Sequence, residues 1–308
     1  AKRLRENGDI GKLIQAKYSS VATVICPENS GIAVAKLCEL ESVYGISEIY
    51  VVGGDGTFNR VMNWTIRRPK NRPVIMSVGG GEMCYFARAQ GLTSSDPLKN
   101  LEEIFSGVLS LEKTSWRPVK ITNAQTKDFR YAGIIANGVV SDFVEWYENV
   151  GKGDFRKVIW MIFIGALSVL FDFVRKAHGR LSHAEGKLSL NHTPFATRHL
   201  AFISSTINEI LPTCRPFRGK IDGVNFFNIT DARGFKRLAL SVPFIWFGKY
   251  PHSPRSRFYN HPIAALHYTT IDARFVIDGD LVDWSAKDSE CLFSIIKGPE
   301  VTLHTVRN

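Results

Sequence analysis

Three glycines, an aspartate and a threonine follow an apolar run and have the spacing of a phosphate-binding loop. In order they are Gly53, Gly54, Asp55, Gly56 and Thr57. Glycine lets the backbone approach a ligand closely, and the N–H groups and positive dipole end of a helix N-terminus attract phosphate. We expect the preceding strand to run into this loop and a helix to begin at Thr57, whose hydroxyl could cap it and contact the ligand.

Asp55 is the unexpected residue of this loop, because a carboxylate repels phosphate. An aspartate at this position could bind Mg²⁺ through water or accept a proton from an attacking hydroxyl. The alternative is a Gly-Asp-Gly turn in which the aspartate only caps a helix.

The loop followed by Asn59 and Asn63 resembles the catalytic-domain motif of the diacylglycerol, sphingosine and ceramide kinase superfamily. The resemblance implies an α/β nucleotide-binding domain, a following β-sandwich domain, and ATP with Mg²⁺ in the cleft between them. It implies a catalytic role for Asp55. It also implies nucleotide contacts from Gly53, Gly54, Gly56, Thr57 and Asn59.

A second loop resembles the family's other nucleotide loop and carries Gly79, Gly80, Gly81 and Glu82 before Phe86-Ala87-Arg88. Gly80 and Glu82 replace the family's threonine and asparagine, and about two residues are added. The resemblance implies that all four loop residues bind nucleotide, with Glu82 close to the metal or the ribose. The alternative is a flexible glycine turn.

Two further stretches complete the resemblance. Asp278 and Asp280, separated by a glycine, resemble an Asp-Gly-Glu motif, which implies that both hold Mg²⁺ and that Asp280 is catalytic; carboxylate pairs suit hard cations. Asp142 and Arg156 match the sphingosine and ceramide kinase branch, which implies roles at the lipid head group and the nucleotide phosphates. The alternatives are an Asp-Gly hairpin, a helix cap and a solvated arginine.

The elements around these residues divide the chain in two. Strands predicted at 21–25, 46–52 and 74–78 alternate with helices at 32–43, 57–66 and 97–106, which favours a parallel sheet. The resemblance implies that this sheet is similar to those of diacylglycerol kinases and NAD kinases. Strands at 131–136, 199–204, 223–229, 238–242 and 273–277, interrupted by a helix at 155–175, favour an antiparallel β-sandwich. We predict domains at 1–117 and 118–308, with the C-terminal tail able to return to the first.

Composition limits the partners. The 308 residues carry a net charge of +10, which favours anionic partners, and no nucleic-acid-binding motif accompanies the charge. Five scattered cysteines argue against a disulfide framework or zinc site and favour the cytosol, and no signal-peptide pattern is visible. The uncharged run 158–171 is too short to span a bilayer. We expect it to line a lipid pocket or to be a core helix.

The aromatic stretch 242–250 is followed by Arg255 and Arg257 and suits a membrane interface, although an ordinary aromatic strand would look the same. We therefore predict a cytoplasmic, peripherally membrane-associated lipid kinase. It would transfer the γ-phosphate of ATP to the hydroxyl of a sphingoid base, ceramide or diacylglycerol. An NAD kinase shares the glycine loop but lacks the Asn59 and Asn63 helix, and a catalytically degenerate member is the other alternative. The sequence does not indicate an oligomeric state.

Overall fold

The protein divides into two units in a computed structural model that describes residues 10–68, 72–81, 83–149, 184–191, 193–199, 201–210, 214–217, 224–229, 246–247, 258–285 and 289–307. The first unit is Ala1–Arg117 with Pro299–Asn308, and the second is Pro118–Gly298. All five cysteines are free thiols. Among the described helices, none has the length and apolar character needed to cross a membrane.

The first unit is a four-stranded sheet with helices. Its elements are α1 Ile10–Tyr18, α2 Ser30–Tyr44, β1 Glu48–Gly53, α3 Asp55–Ile66, β2 Val74–Gly80, α4 Tyr85–Ala89, α5 Pro97–Phe105, β3 Leu111–Trp116 and β16 Val301–Val306. The strand order is β1-β2-β16-β3. The β1–β2 and β2–β16 pairs are parallel and β16–β3 is antiparallel. The predicted α/β architecture with a parallel sheet is confirmed, and the C-terminal strand lies in its middle.

Local signals explain where the helices of this unit begin. Asn29 caps α2, because its side-chain oxygen accepts hydrogen bonds from the N–H groups of Gly31 and Ile32, both at 3.0 Å. Asp96 caps α5 by accepting from Leu98 N at 2.9 Å, and Pro97 occupies the first turn, where no N–H is needed.

The strand predicted at residues 21–25 is wrong. The N–H groups of Val21 and Ala22 donate to the carbonyl of Tyr18 and close the end of α1 in a turn. Val21 is 67% exposed, while Val24 packs against the core formed by Ile14 and Tyr18. The β-branched residues gave strand propensity, but the chain here is fixed by the preceding helix and by one packing contact.

The second unit consists of two six-stranded antiparallel sheets. Its elements are β4 Val119–Asn123, β5 Phe129–Ala132, β6 Ile134–Gly138, α6 Val139–Asn149, β7 Ala184–Leu190, β8 Thr193–His199, β9 Ala201–Ser205, β10 Val224–Ile229, β11 Phe258–Ile263, β12 Ala265–Thr270, β13 Arg274–Ile277, β14 Asp280–Asp283 and β15 Cys291–Lys297. The orders are β11-β10-β9-β6-β13-β14 and β5-β4-β15-β12-β7-β8. One core joins residues of both sheets, including Ile121, Phe202, Phe275 and Phe293, so the predicted antiparallel sandwich is confirmed.

The single strand predicted at 131–136 is wrong in one respect. Gly133 divides it into β5 and β6, which pair in different sheets. The strands predicted at 199–204, 223–229 and 273–277 correspond to β9, β10 and β13. The strand predicted at 238–242 and the helix predicted at 155–175, with the lipid-pocket run 158–171, lie outside the described residues.

Candidate functional site: two glycine loops and an aspartate

The two glycine loops begin at the same edge of the sheet. Strands β1 and β2 run parallel, with Val52 opposite Gly79 and Gly53 opposite Gly80. A register shift between Val51 and Val52 lets the two strands end together. Because loops at the carboxyl ends of adjacent parallel strands meet, this edge is where an α/β sheet builds a ligand site.

The first loop leads straight into helix α3. Gly54 is the N-cap residue, with φ −80° and ψ 173°, and no side chain caps the helix. The prediction that Thr57 begins and caps this helix is wrong, because α3 begins two residues earlier and Thr57 N donates to Gly54 O at 3.0 Å. The Thr57 side chain instead packs over Gly53, where an added Cβ would lie 3.0 Å from it.

The second loop touches the first through backbone atoms. Gly79 and Gly80 have φ values of 92° and 115°, which non-glycine residues rarely adopt. A Cβ on Gly81 would lie only 2.6 Å from the Cα of Gly54. Glycine is therefore required at position 81 for the two loops to meet. The predicted contact residue Glu82 lies outside the described residues.

Cys84 closes the second loop ahead of helix α4. Its backbone is left-handed, with φ 47°. Its thiol donates to Gly81 O at 3.1 Å and accepts from Gly81 N at 3.2 Å. Burial raises the pKa of this thiol, so it stays protonated and keeps the loop closed.

Asp55 joins the two loops. Its side chain is 9% exposed, and its Oδ1 accepts a hydrogen bond from Phe86 N, at the start of α4, at 3.1 Å. Burial raises the pKa of this carboxyl group, while the N–H groups of residues 84–86 and the charge of Arg88 act in the opposite direction. The ring centroids of Phe58 and Phe86 lie 4.4 Å apart. The aspartate thus caps the helix of the other loop, a partner that the sequence did not indicate.

This arrangement fits a polyphosphate. The first turn of α3 is uncapped by side chains and opens onto glycines at residues 53–54 and 79–81, so its N–H groups and dipole favour an anion there. Among the described residues, no group of three or more His, Cys, Asp or Glu side chains could hold a metal ion. Mg²⁺ bound to a nucleotide needs only one or two protein carboxylates, with phosphate and water completing its shell.

Two buried amide side chains hold the end of β2 and were missed by the sequence analysis. Asn100 donates to Val78 O at 2.8 Å and to Ser94 O at 3.1 Å. Gln90 accepts from Ser77 N at 2.7 Å. Asn100 could have been found, because it occupies a position of α5 that apolar periodicity assigns to the core, between Pro97 and Leu101. Such a buried amide is expected to hold backbone groups.

The acidic pair of the second unit has one buried and one exposed member. Asp278 is 7% exposed and sits at φ 51° in the turn between β13 and β14. Its Oδ1 accepts from Gly133 N and Ile134 N, both at 2.9 Å, and its Oδ2 accepts from Gly133 N at 3.2 Å. Asp278 therefore holds the corner where the chain passes from β5 to β6. Asp280 is exposed at the start of β14. The metal roles of both stay predictions.

Asp142 lies in the first turn of α6, directly after β6. Its Oδ1 lies 3.3 Å from Arg274 Nη2, so the residue predicted to bind the head group already has a cationic neighbour. Nothing in the sequence pattern indicated this arginine. Arg156 lies outside the described residues. The structure thus brings Asp55 and the glycine loops together in the first unit, and places Asp142, Asp278 and Asp280 in the second.

Comparisons with known proteins agree with this arrangement. Residues 9–112 match the diacylglycerol kinase catalytic domain. A diacylglycerol kinase structure from Bacillus anthracis str. Sterne matches with a TM-score of 0.59 at 12% identity, covering 92% of this chain and 84% of that chain. Another from the same organism, provisionally assigned as a diacylglycerol kinase, gives 0.56 at 14%, covering 92% and 85%. No curated protein matches the chain. The chain is therefore similar to the diacylglycerol kinase catalytic domain over residues 9–112, as its glycine loops predicted, and its fold is similar to that of diacylglycerol kinase structures.

Proposed function

We propose that this protein is an ATP-dependent lipid kinase that phosphorylates a hydroxyl group of a diacylglycerol, ceramide or sphingoid base. The catalytic domain at residues 9–112 supports a lipid-kinase-like function. The observation that carries the proposal is the contact between the two glycine loops at Gly54 and Gly81, beside the uncapped N-terminus of α3. That geometry suits a chain of phosphates, because two glycine loops and a helix N-terminus lie together at one edge of the sheet.

The residues act mainly by positioning and charge neutralisation. ATP would supply the phosphoryl group, and Mg²⁺, when bound, would neutralise negative charge on the phosphates. The N–H groups of α3 and the residues 79–81 would hold the nucleotide, and the Mg²⁺ role of Asp278 and Asp280 stays a prediction from the resemblance. In the transfer, the lipid O–H bond breaks and its proton passes to Asp55. The lipid oxygen bonds to the γ-phosphorus, and ADP leaves with the bonding electron pair.

The environment of Asp55 suits a proton acceptor. Burial raises its pKa, and a carboxylate with a raised pKa is a better base than an ordinary one. Its hydrogen bond from Phe86 N fixes the carboxylate in one orientation. We infer that Asp55 has two tasks, to join the loops and to accept the proton. An asparagine would keep the first task, because its carbonyl oxygen can still accept from Phe86 N, and would lose the second.

Access to the lipid involves the second unit and an anionic membrane surface. The net charge of +10 favours such a surface, with each basic residue near anionic lipid contributing about 1 kcal/mol. Phe247, in the aromatic stretch noted above, is 59% exposed, as suits a residue that inserts at an interface. We propose peripheral attachment from the cytoplasm.

Transfer of labelled γ-phosphate from MgATP to lipids in mixed micelles tests the proposal. The panel contains diacylglycerol, ceramide, sphingosine and phosphatidylglycerol, with NAD as a soluble acceptor. We expect one lipid class to be labelled and the Asp55→Asn variant to lose about 10²–10⁴-fold in activity while staying folded. The matched control is Asp96→Asn, because Asp96 is exposed, its carboxylate also accepts a backbone N–H at a helix start, and asparagine keeps the acceptor oxygen.

The alternatives give different results. Labelled NAD would favour an NAD kinase. ATP binding without transfer to any acceptor would favour a catalytically degenerate member, for which the changed loop at 79–88 is a reason. Full activity in a folded Asp55→Asn variant would remove the proton-acceptor role.

A further inference from the structure

Strand β2 carries one residue more than β1 at the edge of the sheet where the glycine loops begin. Val51 lies opposite Ser77. Val52, the next residue of β1, lies opposite Gly79. Val78 is therefore the extra residue of a β-bulge, and a bulge leaves its extra residue unpaired in the ladder. Because Val78 is fully buried, its backbone carbonyl needs a hydrogen-bond partner from elsewhere.

Asn100, on helix α5, supplies that partner. Its side-chain Nδ2 donates to Val78 O at 2.8 Å and to Ser94 O, in the loop before the helix, at 3.1 Å. Asn100 is 1% exposed, and its Oδ1 has no hydrogen-bond partner among the described residues. A leucine would fill the same position without burying an unpaired oxygen, which costs stability. The presence of an amide here is therefore explained by the two carbonyl groups that it holds.

The bulge decides which glycine of the second loop meets the first loop. Without the extra residue, the pairing of the earlier part of the ladder would place Gly80 opposite Gly54. With the extra residue, Gly80 lies opposite Gly53. Gly81 then reaches Gly54, where an added Cβ would lie 2.6 Å from the Cα. Because a slip of one residue turns the groups of a strand to its opposite side, the direction of the second loop also depends on the bulge.

We propose that Asn100 is a positioning residue for the nucleotide, because it holds the bulge at Val78 that sets the register in which the two glycine loops meet. The proposal rests on the nucleotide binding that is part of the function proposed above, and it adds a residue outside both glycine motifs to that site. Asn100 acts through the backbone of β2 and takes no part in the transfer of the phosphoryl group.

Asn100→Leu tests the proposal, because leucine keeps the size of the side chain and removes both donated hydrogen bonds. The measurements are the dissociation constant of MgATP and the KM values for MgATP and for the lipid that is labelled in the transfer assay. We expect kcat/KM for MgATP to fall about 10²-fold, as it does when positioning groups are displaced. The dissociation constant of MgATP should rise, and KM for the lipid should stay near its wild-type value. Neither KM nor the dissociation constant depends on the fraction of protein that is folded.

Asn123→Leu is the matched control. Asn123 is a buried asparagine of the second unit whose Oδ1 accepts from Gln125 N at 2.9 Å and from Thr126 N at 3.2 Å. The same substitution there removes two hydrogen bonds to backbone groups in the unit that does not contain the glycine loops. Its dissociation constant for MgATP should therefore equal that of the wild type. Unchanged MgATP affinity in Asn100→Leu, or an equal loss in both variants, overturns the proposal while the kinase function stands. A wild type that neither binds MgATP nor labels any acceptor overturns both.

A second variant and a second measurement cover the case in which Asn100→Leu does not fold. Asn100→Asp keeps the shape of the side chain, and a carboxylate donates to neither carbonyl, so the same loss of MgATP affinity is expected. A nuclear Overhauser effect between the α protons of Gly54 and Gly81 reports the register itself. We expect this signal in the wild type and its loss in either variant of Asn100. A wild type without the signal, or a folded variant that retains it, overturns the proposal.

Discussion

Gly81→Ala tests whether contact between the two glycine loops builds the site. The new Cβ would lie 2.6 Å from the Cα of Gly54. Rotation of a side chain cannot relieve this clash, because the backbone fixes the positions of both atoms. For these two atoms to reach an ordinary van der Waals distance, the loops would have to separate by roughly 1 Å. Overpacking of this kind typically costs about 1–3 kcal/mol of unfolding free energy. A displacement of this size between positioning groups can also lower kcat/KM about 10²-fold.

The assay combines urea unfolding with MgATP titration and labelled phosphate transfer. Gly54→Ala is the stability control across the same contact. Its Cβ would lie 3.6 Å from the Cα of Gly81, an ordinary distance, and the backbone at Gly54 has a negative φ. We expect Gly81→Ala to lose stability and nucleotide affinity, and Gly54→Ala to keep its stability. Equal stability and equal MgATP affinity for Gly81→Ala and the wild type would refute the loop geometry.

Two further predictions concern buried carboxylates. Because the pKa of Asp55 is raised in the folded state, its contribution to stability falls as the pH rises above 3.8, the ordinary pKa of the group. Asp55→Asn should therefore gain stability relative to the wild type as the pH rises towards 7. Urea unfolding at several pH values that shows a parallel course for both proteins would contradict this. Asp278→Ala leaves the N–H groups of Gly133 and Ile134 without their acceptor and should lower the free energy of unfolding by about 2–5 kcal/mol. Asp280→Ala, on the same hairpin, should leave the midpoint of urea unfolding unchanged. Equal midpoints for the two variants would count against the corner role of Asp278.

Local signals predicted the first glycine loop and the strand before it. The apolar residues of β1 end at a glycine, and α3 follows at once, so sequence and structure agree to within two residues at this junction. Helix α5 was equally predictable from the sequence, because a proline and a capping aspartate mark its start.

Contacts between distant positions could not be predicted in this way. The contacts of Asp55 with Phe86, of Asp278 with Gly133, and of Arg274 with Asp142 each join residues that lie far apart in the sequence. A charged residue in a sequence shows its chemistry but not its partner, since the partner is chosen by sheet order and strand register. The strand expected at 21–25 failed for a related reason, because β propensity has no effect where the chain turns at a helix end.

Labelled phosphate transfer from MgATP to the lipid panel tests the central claim most directly. The account predicts that one lipid class with a free hydroxyl group is labelled by the wild type and that Asp55→Asn, correctly folded, transfers about 10²–10⁴-fold less. Binding of MgATP without labelling of any lipid, or undiminished transfer by the Asp55→Asn variant, would contradict it.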